Sequence, residues 1–247
     1  MEKKNKEPTV IYEDNHILAL NKPAGLVMHD DGRHPNPAVT DWLIKNYPNL
    51  AGVGESFKTD MGESIDRPGI VHRLDKDTGG VVVVAKHQKV FLDLKKQFQE
   101  RTVNKIYQAI VYGEIKMEIG QTATIDAPIG RNKKDPRRRQ AGDLASGRIR
   151  PAVTDYSVME NFSGYTLVEA RPQTGRTHQI RVHFKQIKHP VVGDHLYAPG
   201  REKIHGLARL ALHAYSLSVS VFGQRLLLEA ELPKDMKSAL DYLRSLC

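Results

Sequence analysis

The sequence is nearly devoid of cysteine, and it lacks any long hydrophobic run. Its single cysteine, Cys247, excludes a disulfide within the chain and any zinc site built on several cysteines. No stretch is apolar enough to span a bilayer. The charged first residues resemble neither a secretory signal nor a transit peptide. We therefore expect a cytoplasmic protein without a membrane partner.

Nucleotide-binding signatures are also missing. The sequence contains neither a phosphate-cradling P-loop nor a dinucleotide fingerprint. His178 and His183 are five residues apart, which places them on different faces of a helix, and no cysteine or carboxylate completes a ligand set. We therefore expect neither a metal nor an organic cofactor.

The composition is that of a folded protein with a basic excess. Among 247 residues, 40% are hydrophobic and 27% are charged, and the formal net charge is +8. Such a charge favours polyanionic partners, above all nucleic acid. Residues 1–8 predict a disordered polar tail, and residues 9–247 predict one domain without repeats or a linker. Nothing in the sequence requires more than a monomer.

The hydrophobic pattern predicts many strands and few helices. The run Val-Val-Val-Val-Ala at residues 81–85 indicates a strand buried on both faces. Helices are predicted at residues 39–47, 88–100 and 233–243, and a loop at 48–69. Further strands are predicted at residues 10–12, 17–20, 107–111, 156–158, 165–169, 210–212, 217–221 and 226–229. This order favours an α+β fold with a mostly antiparallel sheet.

Residues 131–150 form a strongly basic segment. Six arginines and two lysines stand against two aspartates, a net charge of +6, with almost no large apolar side chains. We expect a solvated loop that binds nucleic-acid phosphates, with Arg137, Arg138 and Arg139 at its centre. The alternative is a loop that only keeps the protein soluble.

Residues 68–80 concentrate polar groups between a Pro-Gly break and the buried strand. Arg73 and Asp75 flank Leu74, so both side chains leave an extended chain on the same side. A carboxylate held beside basic groups is a candidate nucleophile or base. A structural ion pair is the alternative, and spacing alone favours it.

Residues 171–183 predict a strand end followed by a helix. Thr174 or Thr177 is the expected N-cap, and the helix N-terminus with Arg176 is a candidate phosphate site. Ile180 belongs to the predicted apolar stripe, and Arg181 to a neighbouring basic stripe. The alternative is a surface helix whose basic residues face water.

Together these stretches resemble the RluA-type family of pseudouridine synthases, in order and over nearly the whole chain. The motifs that carry the resemblance are Asn21-Lys-Pro-Ala-Gly25, His72-Arg-Leu-Asp-Lys-Asp-Thr78, Lys105-Ile-Tyr107, Pro128-Ile-Gly-Arg131, Arg171-Pro-Gln-Thr-Gly-Arg-Thr-His-Gln-Ile-Arg-Val-His183, Gly193-Asp194 and Arg209-Leu-Ala-Leu-His-Ala214. The resemblance implies the family fold with a central basic cleft. It also implies isomerisation of uridine to pseudouridine in structured ribosomal or transfer RNA, without a cofactor.

The resemblance also implies catalytic roles. Asp75 matches the essential aspartate, Tyr107 the tyrosine that stacks on the target uracil, and Arg181 the basic residue that pairs with the aspartate. These three are the predicted catalytic residues.

Substrate contacts follow from the same resemblance. Arg73 matches an arginine that holds the flipped-out RNA, and Leu210 or Leu212 is expected to line the base pocket. His72 and Arg176 complete the predicted substrate-binding residues.

The chain departs from the family pattern in two places. Gly79 stands where relatives commonly carry Ser. Many relatives also carry an S4 RNA-binding domain before the catalytic motifs, and we expect this protein to lack one. We expect from Gly79 only a small change in backbone freedom. We expect target recognition to come from the catalytic domain, with the basic segment as the candidate.

Two other functions fit parts of the sequence. A non-catalytic RNA-binding or RNA-folding protein would need the basic segment, but not Asp75, Tyr107 and Arg181 together. A carboxylate-based glycosidase would use Asp75, but would leave the basic segment without a purpose.

Overall fold

The computed structural model describes residues 7–29, 37–58 and 64–246. The predicted disordered tail therefore lies outside the described residues except for its last two, and Cys247 also lies outside them. No helix in the described part of the chain is both long enough and apolar enough to span a membrane.

Fourteen strands and four α-helices are present in the described ranges. The strands are β1 (Thr9–Glu13), β2 (Ile17–Lys22), β3 (Phe57–Lys58), β4 (Ser64–Ile65), β5 (Gly79–Ala85), β6 (Asn104–Tyr112), β7 (Thr122–Asp126), β8 (Ile129–Arg131), β9 (Arg139–Ala141), β10 (Ser146–Arg150), β11 (Val153–Phe162), β12 (Tyr165–Pro172), β13 (Leu212–Val221) and β14 (Gln224–Glu229). The helices are α1 (Val39–Asn46), α2 (Gln88–Glu100), α3 (Gln179–Gln186) and α4 (Lys234–Ser245). The predicted α+β fold with a mostly antiparallel sheet is confirmed.

The chain forms two compact units. The first comprises Met1–Asn104 and Ser216–Ala230, and the second comprises Lys105–Tyr215 and Glu231–Cys247. The chain leaves the first unit at β6, returns to it within β13, and leaves it again before α4.

In the first unit, β2 pairs antiparallel with both β1 and β5, and β13 pairs antiparallel with β14. Every residue of β5 is buried, as predicted from its β-branched run. Helix α2 spans the predicted residues and buries Phe91 and Leu94 in the same core cluster as Val83 of β5.

In the second unit, β6, β12, β11 and β7 pair antiparallel in that order. Phe184 of α3 and Met236 of α4 are buried in the core cluster that this sheet shares with its helices. A separate three-stranded sheet has the order β10-β8-β9. We call its segment, residues 129–150, the basic sheet.

The basic sheet corrects the prediction of a solvated loop. Ile129 of β8, Ala141 of β9 and Ala145, which directly precedes β10, are buried. A Cβ on Gly130 would come 2.6 Å from the carbonyl oxygen of Ser146, so glycine permits the close strand pairing there. The segment has few apolar residues, but these buried side chains are enough to pack part of it against the protein.

Two boundaries also differ from the predictions. The segment 48–69, predicted as a loop, contains a 3-10 turn and the two-residue strands β3 and β4. The strand predicted from residue 210 begins instead at Leu212.

Candidate active site

Asp75 lies in an irregular loop directly before β5. Leu74 is buried, whereas Arg73 is exposed and Asp75 is half-buried. This alternation agrees with the prediction that Arg73 and Asp75 leave the chain on the side opposite to Leu74. Asp75 is therefore partly accessible to solvent, while the neighbouring Leu74 lies in the interior.

The start of this loop is pinned to the far end of β5. Gly69 has a φ of 65°, and a Cβ there would come 2.2 Å from the carbonyl oxygen of Ala85. The amide of Ala85 donates to the carbonyl of Gly69 at 2.9 Å. Only glycine permits this approach, so the Pro-Gly break fixes where the loop begins.

The backbone beside Asp75 is held by a fully buried lysine. Lys22 donates from Nζ to the carbonyl oxygens of Pro23 (3.1 Å), Leu26 (2.8 Å) and Lys76 (3.1 Å). An ammonium group carries three protons, so one lysine can donate to several carbonyl oxygens at once. Sequence reasoning gave Lys22 no role, and only its place in a family motif singled it out.

His72 supports the same loop through packing. Its Nε2 accepts a hydrogen bond from the amide of Val83 at 3.0 Å, which places the proton of the neutral ring on Nδ1. The ring stacks on Phe98 of α2, with centroids 4.7 Å apart. These contacts place His72 between the loop and the core, while its predicted substrate contact stays a prediction.

Positive charge gathers near the loop. The pKa of Arg67 is lowered, first by burial and second by the nearby charge of Arg73. The Arg67 guanidinium also lies 2.6 Å from Nε2 of His29. Such a concentration of cations favours phosphate groups of a nucleic acid.

Tyr107 belongs to β6 in the second unit, opposite Ala170 of β12. Its ring is half-buried and packs against the core. Leu210 and Leu212 are both buried, on either side of Ala211, whose carbonyl accepts the amide of Ile110 at 3.1 Å. The structure thus places these predicted base-pocket residues beside the strand that carries Tyr107.

Arg181 forms a buried ion pair with Asp194. Its Nε lies 2.6 Å from Oδ2 and its Nη2 lies 2.9 Å from Oδ1, and the Arg181 side chain is 3% exposed. Burial alone would raise the pKa of Asp194, but the hydrogen bonds and charge of Arg181 outweigh it and the pKa is lowered. The alternative of a surface helix whose basic residues face water is therefore wrong at Arg181.

Asp194 has further hydrogen bonds that orient it. Its Oδ1 accepts the amides of Leu196 (2.9 Å) and Tyr197 (3.0 Å). Sequence reasoning noted Gly193-Asp194 only as a motif and missed this role. The pairing of Arg181 with Asp75, implied by the resemblance, stays a prediction.

The helix that carries Arg181 starts later than predicted. Neither Thr174 nor Thr177 is its N-cap, because α3 begins at Gln179 after His178, whose φ is 57°. The hydroxyl of Thr174 donates instead to Oε1 of Gln179 at 2.6 Å and accepts the amide of Val153 at 3.2 Å. Thr174 therefore bonds to the side chain of Gln179 and the backbone of Val153, and it does not cap the helix.

A buried polar chain continues from Gln179. Its Nε2 donates to the Thr154 hydroxyl at 3.0 Å, which lies 2.9 Å from Nδ1 of His183. Nε2 of His183 donates to the carbonyl of Ala127 at 3.0 Å, and burial lowers the pKa of this imidazole. Both ring nitrogens of His183 are therefore engaged within the core, and no cluster of potential metal ligands occurs in the described part of the chain.

Tyr197 connects α3 to the basic sheet. Its hydroxyl accepts the amide of Arg139 in β9 at 2.7 Å and lies 3.0 Å from Nδ1 of His178. Its ring faces the Arg181 guanidinium, 5.1 Å from the ring centroid, and Nζ of Lys185 at 5.7 Å. Sequence reasoning missed Tyr197 because no local pattern distinguishes it from other buried tyrosines.

The turn between β8 and β9 is ordered by its own polar groups. Asn132 Oδ1 accepts the amides of Lys134 (2.9 Å) and Asp135 (3.0 Å). The side chain of Arg137 donates to both oxygens of Asp135, and this lowers the pKa of Asp135 to about 2. Arg138 lies 3.4 Å from the same carboxylate.

Other cations of the basic sheet face solvent. Arg131, Arg148 and Arg150 are exposed. Arg176 lies half-buried just before α3, and its Nε donates to the carbonyl of Pro151 at 3.1 Å, which holds it beside the end of β10. The second unit therefore presents a basic surface that includes the predicted RNA-contacting arginines.

Comparisons with known proteins point to one family. The RNA pseudouridylate synthase family model matches residues 16–186. An uncharacterised RNA pseudouridine synthase of Synechocystis is 40% identical over 95% of this chain and 68% of its own length. The ribosomal large subunit pseudouridine synthase D of Pseudomonas aeruginosa is 39% identical over 96% of this chain and 72% of its own length.

A solved structure has the same fold. Human RNA pseudouridylate synthase domain containing 1 aligns over 97% of this chain and 90% of its own, with a TM-score of 0.73 and 25% identity. The chain spans about two thirds of the length of the curated relatives it matches, with 68% and 66% for two of them.

Proposed function

The chain belongs to the RNA pseudouridylate synthase family of isomerases, and on this premise we propose that Asp75 isomerises uridine to pseudouridine in structured RNA without a cofactor. The reaction breaks the bond between N1 of uracil and C1′ of ribose and forms a bond from C5 to the same carbon. Substrate and product are isomers, so the reaction needs no oxidant, reductant or energy source.

Three chemical roles suit the Asp75 carboxylate. It can attack the sugar carbon as in retaining glycosidases, abstract a sugar proton, or add to the base. Each role requires a carboxylate that is accessible and held in place. The observation that carries the proposal is the loop itself, in which a half-buried Asp75 precedes a backbone carbonyl held by the fully buried Lys22.

Residues of the second unit supply the other proposed roles. Tyr107 offers a flat face on which the detached uracil stays stacked while it turns. Arg181 provides a positive charge that is kept in one orientation by Asp194. Leu210 or Leu212 lines the pocket for the base.

The target base must leave its stack before it reacts. Extrusion costs a few kcal/mol, and the protein offsets this cost through contacts with the opened RNA. We assign Arg73, which is exposed beside Asp75, to the position vacated by the base. His72 and Arg176 are the further proposed RNA contacts, and residues 9–247 act as one catalytic domain.

The basic sheet is the proposed RNA-positioning surface. Arg137, Arg138 and Arg139 contact phosphates, which sets the register of the RNA and reads no sequence directly. Several relatives are named ribosomal large subunit pseudouridine synthase D. Large-subunit ribosomal RNA is therefore the first proposed substrate, with transfer RNA as the alternative.

Pseudouridine mapping tests the function. Total RNA is compared between cells with and without the gene, and the deletion is complemented by wild type, by Asp75→Asn or by Asp66→Asn. Asp66 is exposed in the same unit and controls for the loss of one negative charge. We expect specific sites to disappear and to return with wild type and Asp66→Asn alone.

Two results would contradict the proposal. Full restoration by Asp75→Asn would show that this carboxylate is not catalytic. If purified wild type binds transcribed ribosomal and transfer RNA and converts no uridine in either, the protein acts by binding alone.

A further inference from the structure

Tyr197 contacts both the basic sheet, which is proposed to bind RNA, and Arg181, which is proposed to act in the reaction. Its hydroxyl accepts the amide of Arg139 in the basic sheet, and its ring lies against the guanidinium of Arg181. All three residues lie in the second unit. Tyr197 is 4% exposed, so water does not compete for these contacts.

The hydroxyl is an anchor for β9. The 2.7 Å contact with Arg139 uses a backbone amide, so it holds the strand itself and not a flexible side chain. The second contact, 3.0 Å to Nδ1 of His178, ties the same oxygen to the residue that precedes α3. One oxygen thus joins the basic sheet to the start of the helix that carries Arg181.

The ring restricts the guanidinium from another side. Asp194 binds Arg181 at two nitrogens, and this sets the plane of the group. The face of Tyr197 attracts the cation through the charge distribution of the ring. The amide of Tyr197 also donates to Asp194, so ring and carboxylate are held on one backbone segment.

We propose that Tyr197 is a positioning residue that couples RNA binding on the basic sheet to the orientation of Arg181. The hydroxyl keeps the basic sheet in place for the RNA, and the ring keeps Arg181 in place for the reaction. The inference rests on the proposed function, because that function gives the two features their tasks. It adds a residue to which neither the sequence motifs nor the relatives' names assign a role.

Two kinds of substitution separate the role of the Tyr197 hydroxyl in RNA binding from the role of its ring in the reaction. Tyr197→Phe removes one oxygen and keeps the ring, whereas Tyr197→Met and Tyr197→Leu remove both. Tyr156→Phe is the matched control, because Tyr156 is also buried in the core of the second unit. The probe is unmodified large-subunit ribosomal RNA transcribed in vitro.

For Tyr197→Phe we expect RNA affinity to fall about fivefold, as the removal of an ordinary hydrogen bond predicts. The single-turnover rate at saturating RNA falls much less than the affinity. Hydrogen exchange at the Arg139 amide becomes faster. For Tyr197→Met and Tyr197→Leu we expect an additional drop of about tenfold in the saturating rate, as the ring no longer faces Arg181.

The outcomes are distinct. Equal RNA affinity and equal Arg139 exchange in wild type and Tyr197→Phe would overturn the coupling. The coupling would also be overturned if Tyr197→Met, shown to be folded by circular dichroism, had the same single-turnover rate at saturating RNA as Tyr197→Phe. If wild type binds the RNA and leaves every uridine unchanged, the proposed function fails, and the affinity and exchange measurements still decide whether the hydroxyl is an anchor.

Discussion

The side-chain nitrogen of Lys22 lies 3.1 Å from the carbonyl oxygen of Lys76, the residue that follows Asp75. The same carbonyl accepts the amide of Gly25 at 2.8 Å. Two donors from the Asn21–Gly25 motif therefore converge on one oxygen of the loop. A change at Lys22 therefore acts on the backbone of the residue next to the proposed catalytic carboxylate.

We predict that Lys22→Met lowers both stability and activity. The variant leaves buried carbonyl acceptors without their donor, and each such group costs about 1–3 kcal/mol. We expect the free energy of unfolding in urea to fall by at least about 2 kcal/mol and pseudouridine formation to fall further than this decrease in folded protein explains. Lys96→Met, at an exposed site on α2, is the control. Full activity in folded Lys22→Met would contradict the role of the hydrogen bond to Lys76.

The ion pair of Arg181 with Asp194 gives a second prediction. Asp194→Asn leaves a buried guanidinium without its counter-charge, which should cost about 3–5 kcal/mol of unfolding free energy. Asp235→Asn is the control, because Asp235 binds Arg209 at two nitrogens in the same way, but at a more exposed site. A smaller decrease is expected there, and equal decreases would contradict the argument from burial.

The same pair predicts a pH dependence. The folded-state pKa of Asp194 lies below its ordinary value of 3.8. Its contribution to stability is therefore fully present above that value and is lost as the pH falls through the lower folded-state pKa. We expect the stability difference between wild type and Asp194→Asn, measured by urea unfolding, to narrow as the pH is lowered from 3.8 through the folded-state pKa of Asp194. A constant difference would show that the ionisation of Asp194 is not responsible.

Local sequence patterns predicted the regular elements of the fold. The β-branched run of β5 and the apolar spacing of α2 are each complete within one element, so the elements could be predicted from their own residues. The basic sheet could not be predicted in this way, because its strands are short, consist mostly of polar and charged residues, and bury few apolar side chains.

The candidate site likewise contains contacts that local sequence patterns could not predict. Asp75 was found through its motif, and the burial of Leu74 agrees with the predicted alternation. The ion-pair partner of Arg181 lies 13 residues along the chain, in a loop with no periodic signal. The partners of Tyr197 include a backbone amide 58 residues away. Contacts of this kind depend on the tertiary fold, so no local pattern contains them.

The basic sheet predicts a change in salt dependence. Replacing Arg137, Arg138 and Arg139 by Gln should weaken RNA binding and reduce the log–log salt slope by up to about 0.7 for each phosphate of single-stranded RNA that is no longer neutralised. Asp135→Asn should act in the opposite direction, because it removes the carboxylate that Arg137 and Arg138 neutralise in the free protein. Filter binding at a series of salt concentrations measures the affinity and the salt slope of each variant. An unchanged slope in the triple variant would mean that these arginines face solvent and do not contact RNA phosphates.

Two exposed aliphatic side chains lie among these arginines. Leu144 is 75% exposed and Ile149 is 50% exposed. In a surface that faces RNA, such groups can pack against the faces of unpaired bases and exclude water from the interface. We predict that Leu144→Ser with Ile149→Ser weakens RNA binding without changing the salt slope, because neither residue neutralises a phosphate.

The contrast with the arginine variants identifies the kind of contact. Leu92→Ser removes a comparably exposed aliphatic side chain from α2 in the other unit and should leave RNA affinity as it is. Equal RNA affinities in the double variant and wild type would mean that Leu144 and Ile149 make no contact with bases and that the basic sheet binds RNA through phosphates alone. A reduced salt slope in the double variant would instead mean that the substitutions had displaced the neighbouring arginines, and the hydrogen exchange of β10 would then differ from that of wild type.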